Sequence, residues 1–137
     1  AAGITLTIEP LNRYETHFLN TLAGTVAIAE RIAQPNVKIM ADFFHLNLEE
    51  PDIAASLRAA LPHLAHIHLA DSNRLLPGRG HLDFAPALKV LVDSNYSGVM
   101  TFECCIGERW QGLGYFSGDH AAELPSARAH LEALLPA

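Results

Sequence analysis

Apolar residues along this chain fall into two alternating rhythms. Short runs with apolar residues at every second position, rich in β-branched side chains, occur at Gly3–Glu9, Asn36–Asp42, Leu64–Ala70 and Gly98–Cys104. Between and after them lie Ala- and Leu-rich stretches of helical character: Leu19–Ala33, broken only by Gly24; Pro51–Leu61; Asp83–Asp93; and Glu123–Leu135. Pro51 suits a first helical position, and Asp83 is a candidate N-cap because its side chain can accept from a free N–H of the first turn. The order is βαβαβαβα, which predicts an α/β fold with parallel strands. No linker or low-complexity tract interrupts it, so residues 1–137 read as a single domain.

Successive strand side chains point to opposite faces, so each run separates into two sets. Ile4, Leu6 and Ile8 oppose Thr5, Thr7 and Glu9; Ile39 and Ala41 oppose Met40 and Asp42; Ile67 and Leu69 oppose His66 and His68; Met100 and Phe102 oppose Val99, Thr101 and Glu103. Every strand thus has one face suited to a layer of helices and one more polar face. A doubly wound sheet is covered on both faces and reads apolar on both. A barrel interior with a functional mouth reads as these strands do, so the periodicity favours four βα units of a (β/α)8 barrel.

Composition narrows the function. Half of the 137 residues are hydrophobic and 18% are charged, enough apolar surface for a core. The net charge of −6 lacks the basic field that phosphate neutralisation requires, which disfavours nucleic acid, and no basic amphipathic helix addresses a membrane surface. No apolar run is long enough to span a bilayer. Ala1 to Thr7 carries no charged leader segment and no Met, so the natural start is expected to have been removed or to lie upstream. The adjacent Cys104 and Cys105 make no disulfide framework, and a reducing, cytoplasmic setting is expected.

The polar faces carry candidate chemistry at their C-terminal tips: Glu9, Asp42, His68 and Glu103, separated by 33, 26 and 35 residues, each close to one βα unit. A single acidic residue at a strand end is more often a helix cap or a solvated loop residue. Four in succession are harder to obtain by chance, and parallel strands bring all their C-termini to one end. Three carboxylates and one imidazole make an oxygen-rich site that favours Mn²⁺, Mg²⁺ or Co²⁺ over a thiolate-type zinc site. Glu15, His45 and Arg74 follow these tips by six, three and six residues, on the loops where a barrel enzyme holds its substrate. His66 lies one pleat deeper than His68 and reads as a hydrogen-bonded interior histidine; His17, His63, His120 and His130 read as surface residues. Asp71 and Asn73 read as partners that fix the loop around Arg74, Gly78 and Gly80 as turn glycines beside His81, and the aromatic segment Glu108–Asp119 as a lid, an interface or a tuck over the last helix.

These residues lie in segments that resemble a known family. Ile8-Glu9-Pro10-Leu11-Asn12-Arg13-Tyr14-Glu15 resembles the IEPLNRYE signature of the ketose 3-epimerases, the tagatose/psicose 3-epimerase group of xylose-isomerase-like barrels. Asp42-Phe43-Phe44-His45 is similar to the family's DTFH, with Phe43 in place of Thr. His68 to Arg74 resembles its His-x5-Arg segment, Pro77 to Phe84 its PGxGHxDF turn, and Thr101-Phe102-Glu103 its last-strand glutamate. The resemblance implies metal ligands at Glu9, Asp42, His68 and Glu103, substrate contacts at Glu15, His45 and Arg74, and a divalent metal, Mn²⁺ first, with Mg²⁺ or Co²⁺ as alternatives. It further implies epimerisation or isomerisation of a ketose or related polyol through an enediolate, with Glu9 and Glu103 as the acid/base pair. Inosose dehydratase and hydroxypyruvate isomerase chemistries remain open, and the three-zinc endonuclease branch is disfavoured.

Length qualifies this expectation. A closed barrel needs eight βα units and typically about 250 residues. Four units correspond to the C-terminal half of the family's barrel, and the two outer strands would be open edges that invite pairing. The chain is therefore expected to be a fragment of a longer protein, to pair with a complementary half-barrel, or to form a homodimer. The competing expectation is a non-catalytic half-barrel or assembly module that keeps the metal motif without a complete substrate pocket.

Overall fold

The computed structural model describes residues 3–104 and 120–135. The aromatic segment Glu108–Asp119 and Cys105 lie outside the described residues. Four strands, β1 (Leu6–Ile8), β2 (Val37–Asp42), β3 (Leu64–Leu69) and β4 (Val99–Phe102), pair in parallel in sequence order. Among the described residues, helices α1 (Leu22–Ile32), α2 (Phe43–Glu49), α3 (Ile53–Ala60), α4 (Ala85–Asp93) and α5 (His120–Ala133) lie between and after the strands, with a 3-10 turn at Leu61–His63.

The helix-facing side of the sheet behaves as the alternation predicts at its centre and departs from it at its edges. Ile39, Ala41, Ile67 and Leu69 are buried against Leu22 and Ala29 of α1, Leu57 and Ala60 of α3, and Leu88 and Leu91 of α4. Each large side chain buried here contributes about 1.5–3 kcal/mol. At the edges, Leu6 is 58% exposed and Met100 is 44% exposed, although both belong to the apolar set of their strands. An edge strand has a neighbour on one side only, so its apolar face is half covered.

Local chemistry sets the helix starts differently from the expected ones. In α3 the cap is Asp52, which accepts from the Ala55 N–H at 2.9 Å, so Pro51 stands before the cap and not inside the first turn. In α4 the cap position is Phe84; Asp83 precedes it and still accepts from the Ala85 N–H at 3.0 Å. Thr21 caps α1 by accepting from Gly24, and Glu50 adds a second acceptor at the Leu22 N–H, 2.7 Å away. The helix α2 was not expected. It starts directly at the tip of β2 because Asp42 Oδ1 accepts from the N–H groups of Phe44 at 2.7 Å and His45 at 3.4 Å. Among the described residues, no helix is long and apolar enough to cross a membrane.

Register positions the strand tips. Asp42 pairs with His68 and His68 with Thr101, so Asp42 and His68 stand side by side on the same face. Ile8 pairs with Ile39 and Leu69 with Phe102, which places Glu9 and Glu103 just past the paired ends of the two edge strands. This progressive stagger is the shear of a barrel wall. The inner face forms a concavity of about 500 Å³ lined by Thr5, Thr7, Met40, Ala65, His66 and His68. His66 is hydrogen-bonded there, Nε2 to Thr101 Oγ1 at 3.1 Å.

Candidate active site

Glu9, Asp42, His68 and Glu103 converge: one ligand atom from each lies within 4.8 Å of all the others. His68 Nδ1 is the hub, 3.2 Å from Glu103 Oε2, 3.5 Å from Asp42 Oδ2 and 3.8 Å from Glu9 Oε1. Asp42 divides its labour, with Oδ1 capping α2 and Oδ2 turned towards the cluster. Among the described residues, Asp42 Oδ2, Glu9 Oε1 and His68 Nδ1 are all buried and have no hydrogen-bond partner beyond their contacts with one another and with Glu103. Buried polar atoms are almost always satisfied, and the penalty for leaving one unmet is about 1–3 kcal/mol. Three orphaned atoms aimed at a common point fit a divalent cation, whose charge would satisfy all of them together. The donor set, three carboxylates and one imidazole, suits a hard or intermediate ion.

The charges explain the titration of the group. Glu9 is pushed up to about 7 by burial, with Asp42 and Glu103 adding like charge. His68 is raised, chiefly by its interaction with Asp42 and then by the charges of Glu103 and Glu9. For Asp42, burial pulls upward, but His68, His45 and the Phe44 N–H together outweigh it and hold its carboxyl below the usual range. His45 is lowered by burial.

The loop residues adjoin this cluster. Arg74, at φ 61°, directs its guanidinium to Glu15 Oε1 at 2.9 Å and to Glu103 Oε2 at 3.6 Å. The Phe44 ring lies under the guanidinium at 4.9 Å, a cation–π contact that steadies it. His45 is 1% exposed and places Nε2 4.0 Å from Glu9 Oε1. All seven residues named from the sequence therefore meet in one network.

Two further residues, Phe44 and Asn12, organise it without standing out in the sequence, and Asp71 acts as the loop-fixing partner expected there. The Asp71 carboxylate accepts from the N–H groups of Ser72, Gly78 and Leu82 at 2.7, 2.9 and 3.0 Å. These donors, with Gly80, outweigh burial and lower its pKa. Asp71 thereby ties down the loop that holds Arg74 in its left-handed backbone conformation. The signal for it was present as the Pro-Gly-Arg-Gly turn, whose backbone must approach Asp71 closely.

Known proteins resemble this chain in sequence and in fold. The chain is 44% identical over 101 residues to the D-psicose 3-epimerase of Agrobacterium fabrum, a match covering 74% of this chain and 35% of that protein. It is 39% identical over 101 residues to the 3-dehydro-D-guloside 4-epimerase of Escherichia coli, covering 74% of this chain and 38% of that protein. A solved L-ribulose 3-epimerase superposes with a TM-score of 0.87 at 31% identity, covering 98% of this chain and 48% of that one. The chain thus spans about half the length of the solved relative and a smaller share of the curated ones. The model of the xylose isomerase-like TIM barrel matches residues 1–134, and with four parallel βα units and half of the barrel wall in place, the chain belongs to that family.

Proposed function

We propose that this chain provides the metal-binding and proton-transfer half of a divalent-metal-dependent ketose epimerase. The observation that carries the reading is the set of orphaned atoms on Glu9, Asp42 and His68, closed on its fourth side by Glu103. Glu9, Asp42, His68 and Glu103 would hold the ion, Mn²⁺ first and Mg²⁺ or Co²⁺ next, since mixed carboxylate and imidazole donors suit these ions. When bound, such an ion supplies Lewis-acid polarisation of a carbonyl and so acidifies the neighbouring C–H.

The residues of the chain perform the rest. Glu9 and Glu103 arrive from the two outer strands and flank the site, which suits removal of a proton by one carboxylate and delivery of a second proton, held beforehand by the other carboxyl, on the opposite face of the carbon, inverting it through an enediolate. Arg74, tied to both Glu15 and Glu103, orients hydroxyl or carbonyl oxygens with its rigid fork of donors. Glu15 accepts from substrate hydroxyls, and His45 faces the same space. Relatives named for 3-epimerisation and for 4-epimerisation both support epimerisation of a keto sugar. A cytoplasmic location accompanies this reading.

A whole pocket needs walls beyond four strands. The edges of β1 and β4 expose Leu6, Val99 and Met100, and these are the surfaces on which further strands would close the barrel, from the remainder of a longer protein, from a complementary half-barrel or from a second copy of this chain. The exposed residues on β1 and β4 support one competing reading, a half-barrel that binds metal without turnover. Calorimetric titration with Mn²⁺, followed by ketose conversion assays read by chromatography, tests both. Metal binding with inversion at a ketose carbon supports the epimerase, metal binding without conversion supports the non-catalytic half-barrel, and no metal binding overturns both.

A further inference from the structure

Asn12 lies in the loop after β1, is 2% exposed, and touches two of the residues placed around the substrate. Its side-chain Nδ2 is 2.9 Å from His45 Nδ1 and 2.9 Å from Glu15 Oε1. Its backbone N–H also points at His45 Nδ1, at 3.3 Å. The orientation of the amide is fixed by its other end, where Oδ1 accepts from the Tyr14 N–H at 3.0 Å. A flipped amide would set an oxygen against the Glu15 carboxylate and an NH₂ group against the Tyr14 N–H.

The protonation pattern of His45 follows from donor and acceptor identity. A backbone N–H can only donate, and an amide Nδ2 can only donate. Two donors converge on Nδ1, so Nδ1 must present its lone pair. Neutral His45 then carries its proton on Nε2. That nitrogen is buried, has no hydrogen-bond partner among the described residues, and looks into the site beside Glu9 Oε1, 4.0 Å away. We propose that Asn12 is a positioning residue that holds His45 in the Nε2–H tautomer, making the site-facing nitrogen a dedicated hydrogen-bond donor to a ligand oxygen. The ligand side of this inference rests on the proposed reading of His45 as a substrate contact; the tautomer itself does not. The matching ligand atom is a carbonyl, alkoxide or hydroxyl oxygen offering a lone pair. His45 in this state has no free lone pair with which to take a proton, so proton transfer falls to the carboxylates. Through Nδ2, Asn12 also fixes Glu15, which in turn holds Arg74, so one side chain sets the geometry of all three loop residues.

The test needs neither metal nor sugar, so its failure is distinct from failure of the epimerase reading. The 137-residue chain is labelled with ¹⁵N and its histidine rings are recorded at about pH 8, above the imidazole titration range, with His45→Gln identifying the resonances. The expected spectrum shows His45 as the Nε2–H form alone and a scalar coupling across the hydrogen bond between Asn12 Nδ2 and His45 Nδ1. Asn12→Asp replaces the donor by an acceptor of nearly the same shape and is expected to raise the Nδ1–H population at least tenfold. A wild-type spectrum dominated by the Nδ1–H form, or a folded Asn12→Asp variant with an unchanged His45 tautomer, overturns the proposal. Should Asn12→Asp fail to fold, the wild-type coupling decides, and its absence counts as refutation.

Discussion

The raised pKa of Glu9 has a measurable cost in stability, and Glu9→Gln isolates it. In the folded chain this carboxyl titrates at about 7 against an ordinary value of 4.5, because burial and the charges of Asp42 and Glu103 disfavour its ionisation. The folded state therefore holds a proton that the unfolded chain releases between these two values. Stability falls as pH rises through that window, and the full deficit is present above about 7. A gap of about 2.5 units corresponds to roughly 3 kcal/mol, of which about 2 kcal/mol should develop between pH 5 and pH 8 after allowance for partial solvent screening. His68, also raised, acts with the same sign, whereas His45 and His66, both lowered, act with the opposite one. His45 and His66 are common to wild type and variant, whereas removal of the Glu9 charge also reduces the raise on His68, so the difference between the two proteins reports Glu9 together with its coupling to His68. Urea denaturation in the presence of a chelator should show Glu9→Gln gaining about 2 kcal/mol relative to wild type from pH 5 to pH 8. Saturating Mn²⁺ should reverse the order at pH 8 by stabilising wild type more, with about 2.7 kcal/mol available at a hundredfold excess over Kd. A stability difference independent of pH would refute the account of Glu9 as a carboxyl crowded by its neighbours.

Three other outcomes follow from the same geometry. Mn²⁺ affinity should rise from pH 6 to pH 8, because the raised Glu9 and His68 must both lose protons to serve as ligands, and titration in buffers of different ionisation enthalpy should detect the release; Glu103→Gln should weaken that affinity at least tenfold, and an unchanged value would remove Glu103 from the ligand set. Gly80→Ala would drive a methyl group into Asp71 Oδ1 and Ser72 Oγ, and should lower stability by about 2 kcal/mol in thermal unfolding while disordering the Arg74 loop. Val99→Lys, at a position 60% exposed on the β4 edge, should abolish association if strands pair there, so light scattering would move from a multiple of 14.9 kDa towards the single chain.

What the sequence revealed and what it concealed divide along a physical line. Alternation with period two fixes which side chains share a face, and parallel strands fix which ends converge, so Glu9, Asp42, His68 and Glu103 could be grouped before any coordinates. The helix α2 could not be read in the same way, since it follows β2 with no intervening turn and its start depends on one carboxylate oxygen of Asp42 reaching two backbone N–H groups. Asn12 stayed hidden for a related reason. Its partners include a backbone N–H and a ring nitrogen, which have no residue-type signature, and the 33-residue separation of Asn12 from His45 exceeds any local pattern. Phe44 reads as an ordinary core aromatic until the Arg74 guanidinium is found above it.

The half-barrel accounts for why the metal cluster can be well formed while the wall around it is open. Three of the four candidate ligands are placed by their own strand tips and by bonds within this half: Asp42 by its capping of α2, Glu103 by its backbone N–H to the Leu69 carbonyl at 3.3 Å, and His68 by its pairing beside Asp42. None of these anchors requires a fifth strand. The exposed residues Leu6, Val99 and Met100 lie on the two outer strands, where further strands would have to join. On the proposed reading, metal affinity and substrate turnover are therefore separable: the first would be set by side chains that four parallel strands suffice to hold, and the second by a pocket whose remaining wall would be built on the edges of β1 and β4.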